Sequence, residues 1–108
     1  MIVLRRTTKR QVEKTIPPVQ KEEFFDLDLN EYDSFDWEIK MFGDGFKRIS
    51  KISSLYNIDT IESTEYASLG KKFSTDTNIF VSNGDRCVLE VQNNDSLIIK
   101  CIVRLKTF

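Results

Sequence analysis

The residue types in this chain limit the chemistry that it can perform. Its 108 residues include no histidine, which excludes Ser-His-Asp triads, Cys-His dyads and imidazole zinc sites. Two cysteines, Cys87 and Cys101, are too few for a four-thiolate zinc site or a disulfide scaffold. Acids, lysines and tyrosines remain, but no spacing among them marks a general acid–base pair. We therefore expect no enzyme activity, no cofactor, no metal and no catalytic residue.

Two short motifs resemble ligand sites and then depart from the required pattern. Asp26-Leu27-Asp28-Leu29-Asn30 begins like a calcium loop, but Glu31 stands where the sharp turn needs glycine. Trp37 stands where a calcium loop needs its bidentate glutamate. Gly43-Asp44-Gly45 has the glycines of a phosphate loop without the Lys-Ser/Thr that follows them there. This second motif predicts a turn.

Length and composition indicate one ordinary globular domain. Hydrophobic residues make up 40% of the chain and charged residues 31%, which is the composition of a soluble protein that buries a core. The net charge of −1 counts against a general nucleic-acid binder. The absence of a long apolar run predicts no membrane span, and the N-terminus does not have the pattern of a signal peptide. We expect synthesis in a reducing cytoplasm.

The charge is balanced in total but segregated along the chain. Residues 1–21 carry six bases and one acid, a net charge of +5, whereas residues 22–38 carry eight acids and no base. Pro17-Pro18 interrupts the first block and favours extended backbone. We predict an extended basic arm at residues 1–21, followed by one β-rich domain at residues 22–108. The arm lies on a partner subunit, forms an edge strand of its own domain, or reaches nucleic acid; the first is favoured.

The acidic block also has the pattern of a strand. Phe25, Leu27 and Leu29 alternate with Asp26 and Asp28, which predicts a half-buried strand with its acids in water. The alternative is a docking strip for the basic arm of a neighbouring copy, since docking on its own arm looks sterically awkward. The candidate partner-binding residues are Arg5, Arg6, Lys9 and Arg10 on the arm, and Phe24, Phe25, Asp26 and Asp28 on the strip.

The middle of the chain mixes two periodicities. Trp37, Ile39 and Met41 alternate with charged residues and predict a strand. Apolar residues then recur at spacings of three and four, which predicts one short helix at about residues 45–56; they are Phe46, Ile49, Ile52 and Tyr56. Residues 58–76 fit either a strand with a long loop or one helical turn that ends at Gly70.

The C-terminal third predicts a three-stranded antiparallel meander over residues 78–106. Asn83-Gly84 is typical of a type I′ turn, and a second turn is expected around Asn94. The apolar pattern then places Cys87 directly opposite Cys101 on the adjacent strand. We expect both thiols to be reduced and buried.

These elements predict a mainly β fold: a small antiparallel β-sandwich or barrel with an extended N-terminal arm and that one short helix. The favoured function is a non-catalytic structural subunit that joins its neighbours through the arm, in a homo- or hetero-oligomeric assembly. By analogy, a phage or viral particle is a common setting for such a subunit. The alternative is a small OB-like domain that binds single-stranded nucleic acid. Its marker would be exposure of Trp37, Phe42, Phe46 and Phe80 on one basic sheet face.

Overall fold

A computed structural model describes residues 9–108, which consist of strands and turns without a helix. Arg5 and Arg6 of the predicted arm lie outside the described residues. The eight strands are β1 (Lys9–Ile16), β2 (Lys21–Asp28), β3 (Ser34–Gly43), β4 (Phe46–Asn57), β5 (Thr60–Gly70), β6 (Thr75–Ser82), β7 (Arg86–Asn93) and β8 (Ile99–Thr107).

The strands form two antiparallel sheets that pack face to face as a β-sandwich. The larger sheet has the order β1-β8-β3-β4-β5, and the smaller sheet has the order β2-β7-β6. Alternation of buried and half-exposed residues along β3 and β8 turns one face of the larger sheet towards the smaller one. The prediction of a mainly β antiparallel fold is confirmed. Of the two predicted architectures, sandwich and barrel, the sandwich is correct.

Trp37 lies at the centre of the core between the two sheets. Its side chain is 1% exposed, and its ring stacks on Phe35 and meets the edge of Phe25, with both pairs of centroids 5.6 Å apart. The indole Nε1–H donates a hydrogen bond of 3.0 Å to Ser54 Oγ, which also hydrogen-bonds Ser63 Oγ at 2.8 Å. This pair of serines satisfies the one polar atom of the buried ring.

Residues 9–16 of the predicted arm form an edge strand of their own domain. Strand β1 pairs antiparallel with β8 along its whole length, from Lys9 opposite Lys106 to Ile16 opposite Ile99. Ile16 is fully buried in the core. Of the alternatives that the sequence left open, the edge strand holds for this part of the arm.

The predicted helix at about residues 45–56 is wrong, because this segment is strand β4. It pairs with β3 on one side and with β5 on the other. Ile52 lies on the inner face opposite Trp37, whereas Ile49 lies on the outer face opposite Lys40. Apolar side chains on both faces of one strand imitate the spacing of a helix, and pairing on both edges overrides that local pattern.

The predicted meander over residues 78–106 is half correct. Strands β6 and β7 form the expected hairpin, with Asn83 and Gly84 at positive φ. A two-residue type I′ turn predicts that Ser82 opposes Asp85. The observed register differs by one residue, since Ser82 opposes Arg86 and Asp85 stays in the loop. The carbonyl of Asp85 accepts a hydrogen bond of 2.8 Å from the N–H of Leu29, which holds it beside the chain that follows β2.

The third strand of that meander belongs to the other sheet. Strand β8 pairs with β1 and β3 and not with β7, so Cys87 and Cys101 are not cross-strand neighbours. Both are buried, free thiols on the inner faces of opposite sheets. The apolar residues of β7 and β8 can be buried either side by side in one sheet or facing each other across the core of a sandwich. The apolar pattern therefore did not determine which strands pair.

The crossing from one sheet to the other is organised by the side chain of Asn93, the last residue of β7. Asn93 is fully buried. Its Nδ2 donates hydrogen bonds to the carbonyl oxygens of Ile16 and Leu97, at 2.9 and 2.7 Å. Its Oδ1 accepts one from the N–H of Asp95 at 2.8 Å. One amide therefore joins the end of β1 to the segment that leads into β8.

Backbone and carboxylate bonds complete this junction. The N–H of Asn93 donates to the carbonyl of Gln20, and its own carbonyl accepts from the N–H of Val19, both at 2.8 Å. The carboxylate of Asp95 accepts from the N–H of Ser74 at 3.2 Å, and this hydrogen bond holds the pKa of Asp95 below its usual value. The β1–β2 turn, the start of β6 and the β7–β8 crossing thus meet around Asn93.

We predict that Asn93→Ala lowers the free energy of unfolding by roughly 3–5 kcal/mol, because two carbonyls and one N–H lose their partner in or near the core, each at about 1–3 kcal/mol. Asn94→Ala is the matched control, since Asn94 is exposed and donates one side-chain bond of 2.8 Å to Asp76. It should cost less than about 1 kcal/mol. Urea unfolding curves measure both; equal losses for the two variants would contradict this role of Asn93.

Candidate interaction surfaces

Of the basic residues of the arm that the structure describes, three lie on β1 at one edge of the larger sheet, namely Lys9, Arg10 and Lys14, and Lys21 begins β2 of the smaller sheet. Lys9 is the first residue of β1. Arg10 is exposed and borders a shallow cleft of about 250 Å³. The charged residues around that cleft are Arg10, Lys51, Arg104 and Lys106, with Asp36 and Glu38. Glu38 lies 3.8 Å from the guanidinium of Arg104, so part of the positive charge is neutralised within the molecule.

The two aromatic residues of the predicted docking strip belong to the core. Phe24 and Phe25 are both 6% exposed, although neighbours on a regular strand point to opposite faces. The pairing of β2 with β7 is irregular between Glu23 and Phe25, and this bulge allows both rings to turn inward. A partner could reach neither ring without opening the sandwich, which leaves the acids of this strip as its accessible groups.

Asp26 and Asp28 already have partners within the chain. Asp26 Oδ1 accepts a hydrogen bond of 2.8 Å from Arg86 Nε, and this bond raises the pKa of Arg86. Asp28 Oδ1 accepts from the N–H of Asn30 at 2.8 Å, which closes the turn after β2. Both carboxylates therefore stabilise local structure, and their side chains keep enough exposure to contact a neighbour as well.

The basic and acidic blocks meet inside one molecule. Lys14 Nζ donates a hydrogen bond of 2.6 Å to the carbonyl of Glu23 and lies 3.7 Å from the carboxylate of Glu22. The turn after Pro17-Pro18 reverses the chain and brings β2 beside β1. Lys14 of the arm thus contacts the start of the acidic block of its own chain, although such docking looked sterically awkward from the sequence.

The opposite edge of the larger sheet is open. Strand β5 pairs with β4 on one side, and no strand among residues 9–108 pairs with its other side. Residues 62–70 are exposed without interruption, with Tyr66 at 56% and Leu69 at 74%. An edge of this length presents a row of unpaired N–H and C=O groups that another strand can bind.

Little in β5 protects this edge. Its only charged residues are Glu62 and Glu65, and one irregularity interrupts its pairing with β4, opposite Lys51 and Ile52. The strand ends at Gly70 with φ +96, where a Cβ atom would lie 2.2 Å from the carbonyl oxygen of Lys47. That contact requires glycine and fixes the end of β5 against β4. Strands without lysine or proline are the least protected against pairing.

Sequence reasoning missed this surface for a physical reason. Residues 60–70 have no alternating apolar pattern because both faces of β5 are exposed, so the period-two signal of a strand is absent. The usable signal is residue type, since Thr60, Ile61, Thr64 and Tyr66 favour strands. The interpretation of residues 58–76 as a strand with a loop was the correct one of its two alternatives.

The marker of the alternative nucleic-acid function is not present. Trp37 is in the core, so its ring cannot stack on a base. Phe42 is half-buried on the larger sheet, while Phe80 is 39% exposed on the smaller one. Lys100 Nζ lies 6.0 Å from the centre of the Phe42 ring. Phe42 and the exposed Phe46 lie together beside Lys47 and Lys100 on the larger sheet. Trp37 is in the core and Phe80 is on the smaller sheet, so the four aromatics do not share one face.

The two thiols are protected from reaction. Burial raises the pKa of Cys101 to about 12, and burial, followed by the negative charge of Asp26, raises the pKa of Cys87 to about 12. A thiol that holds its proton is a poor nucleophile and a poor metal ligand. Within residues 9–108, no three acidic, cysteine or histidine side chains are grouped to hold a metal ion.

Comparison with protein-family models gives no match, and comparison with curated protein sequences gives no significant match. In the described part of the chain, no helix is long and apolar enough to cross a membrane. The geometry above is therefore the basis for a functional assignment.

We predict that the thiols make stability depend on alkaline pH. In the unfolded chain they ionise near their ordinary value of 9.0, whereas the folded chain retains both protons up to about 12. Their contribution is complete below pH 9 and falls as pH rises further, by about 1.4 kcal/mol per pH unit for each thiol. The double variant Cys87→Ala/Cys101→Ala should be about 1–2 kcal/mol less stable at pH 7.

Urea unfolding of both proteins between pH 7 and pH 10.5 tests this dependence. The stability difference between the natural chain and the double variant should shrink above pH 9 and change sign before pH 10.5, because the two proteins differ only at the thiols. A difference that stays constant with pH would show that the thiols ionise as readily in the folded chain.

Proposed function

We propose that this protein is a non-catalytic structural subunit that assembles with other protein subunits. The observation that carries the proposal is the free edge of β5, eleven residues long and exposed over nearly its whole length. Stable monomers shorten, charge or cover such edges, because an added strand satisfies their backbone groups. The length of this edge supports pairing with a strand from another chain.

The distribution of exposed apolar side chains supports an interaction surface on the hairpin that carries this edge, with Tyr66 and Leu69 on β5 itself. Among residues 9–108, nine large hydrophobic side chains are exposed, and five of them belong to the β4–β5 hairpin. These five are Phe46, Leu55, Ile58, Tyr66 and Leu69. Concentration of exposed apolar area on one element is typical of an interaction surface, whereas scattered single residues are not.

The setting of the assembly is part of the proposal and rests on analogy. Phage and viral particles join many copies of small β-rich subunits through strands and chain termini, and we propose that setting here. Synthesis in the cytoplasm accords with the two reduced thiols.

Contacts that involve the acids of the strip and the bases of the arm would weaken as salt screens exposed charges, over a Debye length of about 8 Å at physiological ionic strength.

A variant that blocks the edge tests the proposal. Glu62→Lys with Thr64→Lys places two lysines on exposed positions of β5, where lysine prevents strand addition in natural sheets. We expect the natural chain to exceed the mass of one 12.6 kDa subunit at micromolar concentration and this variant to be a folded monomer. Sedimentation equilibrium gives the masses, and circular dichroism confirms the fold.

Asn30→Lys with Glu31→Lys is the control, since both positions are exposed in the turn after β2 and the change in net charge is identical. This control should assemble as the natural chain does. If the natural chain stays monomeric up to millimolar concentration, the proposed function is wrong. If both variants lose assembly equally, net charge and not the β5 edge controls it.

A further inference from the structure

We infer that the strand added to β5 is the N-terminal segment of a second copy of this chain, residues 2–8; this inference rests on the proposed function. The donor segment enters the domain at β1, and the acceptor is β5. These strands are the two opposite edges of the same five-stranded sheet. A donor at one edge and an acceptor at the other produce a head-to-tail contact, which closes into rings or continues as filaments.

The geometry of the sheet favours a neighbour over the molecule's own β5. Four strand spacings separate β1 from β5, a distance of about 19 Å. Eight extended residues reach about 26 Å. If the segment crossed the sheet of its own molecule, most of its length would be used before the chain reached Thr64. The backbone register places Lys9 on the same rung as Thr64, through Lys106, Asp36 and Ser53. A neighbour's segment meets the edge without this crossing.

Charge and residue type fit the two surfaces to each other. Residues 1–8 contain Arg5 and Arg6 and no acid, whereas β5 contains Glu62 and Glu65 and no base. Opposite charges on neighbouring strands stabilise pairing, and like charges directly opposite destabilise it. The donor segment also contains residues that favour strands, namely Ile2, Val3, Thr7 and Thr8.

The same argument disfavours symmetric pairing of two β5 edges. Each copy of β5 has two glutamates and no compensating base, so a β5–β5 contact would bring four carboxylates together. Glu65 has one basic contact within its own chain, 3.7 Å from Arg48, and an exposed pair at that distance neutralises little. The arginines of the N-terminal segment supply the missing positive charge.

Complementation between two defective variants tests the inference. The first variant lacks residues 1–8 and keeps the β5 edge; the second carries Glu62→Lys and Thr64→Lys and keeps residues 1–8. Each alone should be monomeric, and an equimolar mixture should form a one-to-one dimer in which the second variant donates its segment. Sedimentation equilibrium and native mass spectrometry, which resolves the two masses, measure the result.

The deletion ends at Thr8 because β1 is part of the folded sheet. A deletion of residues 1–16 would remove Ile16 from the core and would confuse loss of folding with loss of a donor. Arg5→Glu with Arg6→Glu is a second test that keeps the chain at full length. It should weaken self-assembly at least tenfold in dissociation constant, and added salt should reduce the difference from the natural chain.

The outcomes separate this inference from the proposed function. If the natural chain assembles but the mixture contains only monomers, the donor is another surface, and the inference is wrong while the assembly proposal stands. If the variant without residues 1–8 assembles as strongly as the natural chain, those residues are not the donor. A natural chain that does not assemble at all would overturn the proposed function itself.

Discussion

The buried amide of Asn93 is the interaction on which the arrangement of the two sheets depends. It uses both of its N–H groups and its carbonyl oxygen inside the sandwich, with one bond to the end of β1 and two to the segment that leads into β8. An unpaired polar group at this depth would cost more than the bond contributes when made. The hydrogen bonds of this amide are all made when the chain crosses from β7 to the larger sheet and begins β8. They therefore favour this path for the chain.

This junction makes the two sides of the sandwich unlike each other. On one side, the β1–β2 turn is tied to Asn93, and Lys14 bonds the backbone of β2, so the sheets are closely connected. On the other side, β5 lies beside β6 and forms the edge of the larger sheet. The inner positions of β4 and β5 there include Ser50, Ser63 and Glu65, which suit contact with water better than burial under the smaller sheet. Among residues 9–108, the outer backbone groups of β5 have no strand partner, and one more strand would satisfy them.

Sequence patterns predicted the elements that are buried on one face and failed where burial is symmetric. Alternation located β2 and β3 because Leu27 and Ile39 face the core while their neighbours face water. Strand β4 has apolar residues on both faces and looked helical, and β5 has both faces exposed and gave no period at all. The partners of β8 could not be read from the chain, because a strand that continues the sheet and a strand that faces it across the core present the same apolar pattern.

Some features of the candidate site could likewise be predicted from the sequence, and others could not. The acids of β2 are visible in the sequence as a run of charge, but the burial of Phe24 beside Phe25 depends on a bulge that no local pattern marks. The pairing of Asp26 with Arg86 joins residues sixty positions apart and needs the β2–β7 register to be known. The open edge of β5 is a property of the sheet order, which becomes available only when every strand has been placed.

Amide hydrogen exchange at β5 tests the central claim most directly, because it observes the backbone groups that strand addition would occupy. The account predicts that those amides of residues 60–70 that point away from β4 exchange quickly in dilute monomer and become protected when the protein is concentrated. Amides of β7, paired on both sides within the domain, should not change. Assembly at high concentration with unchanged exchange along β5 would contradict the account.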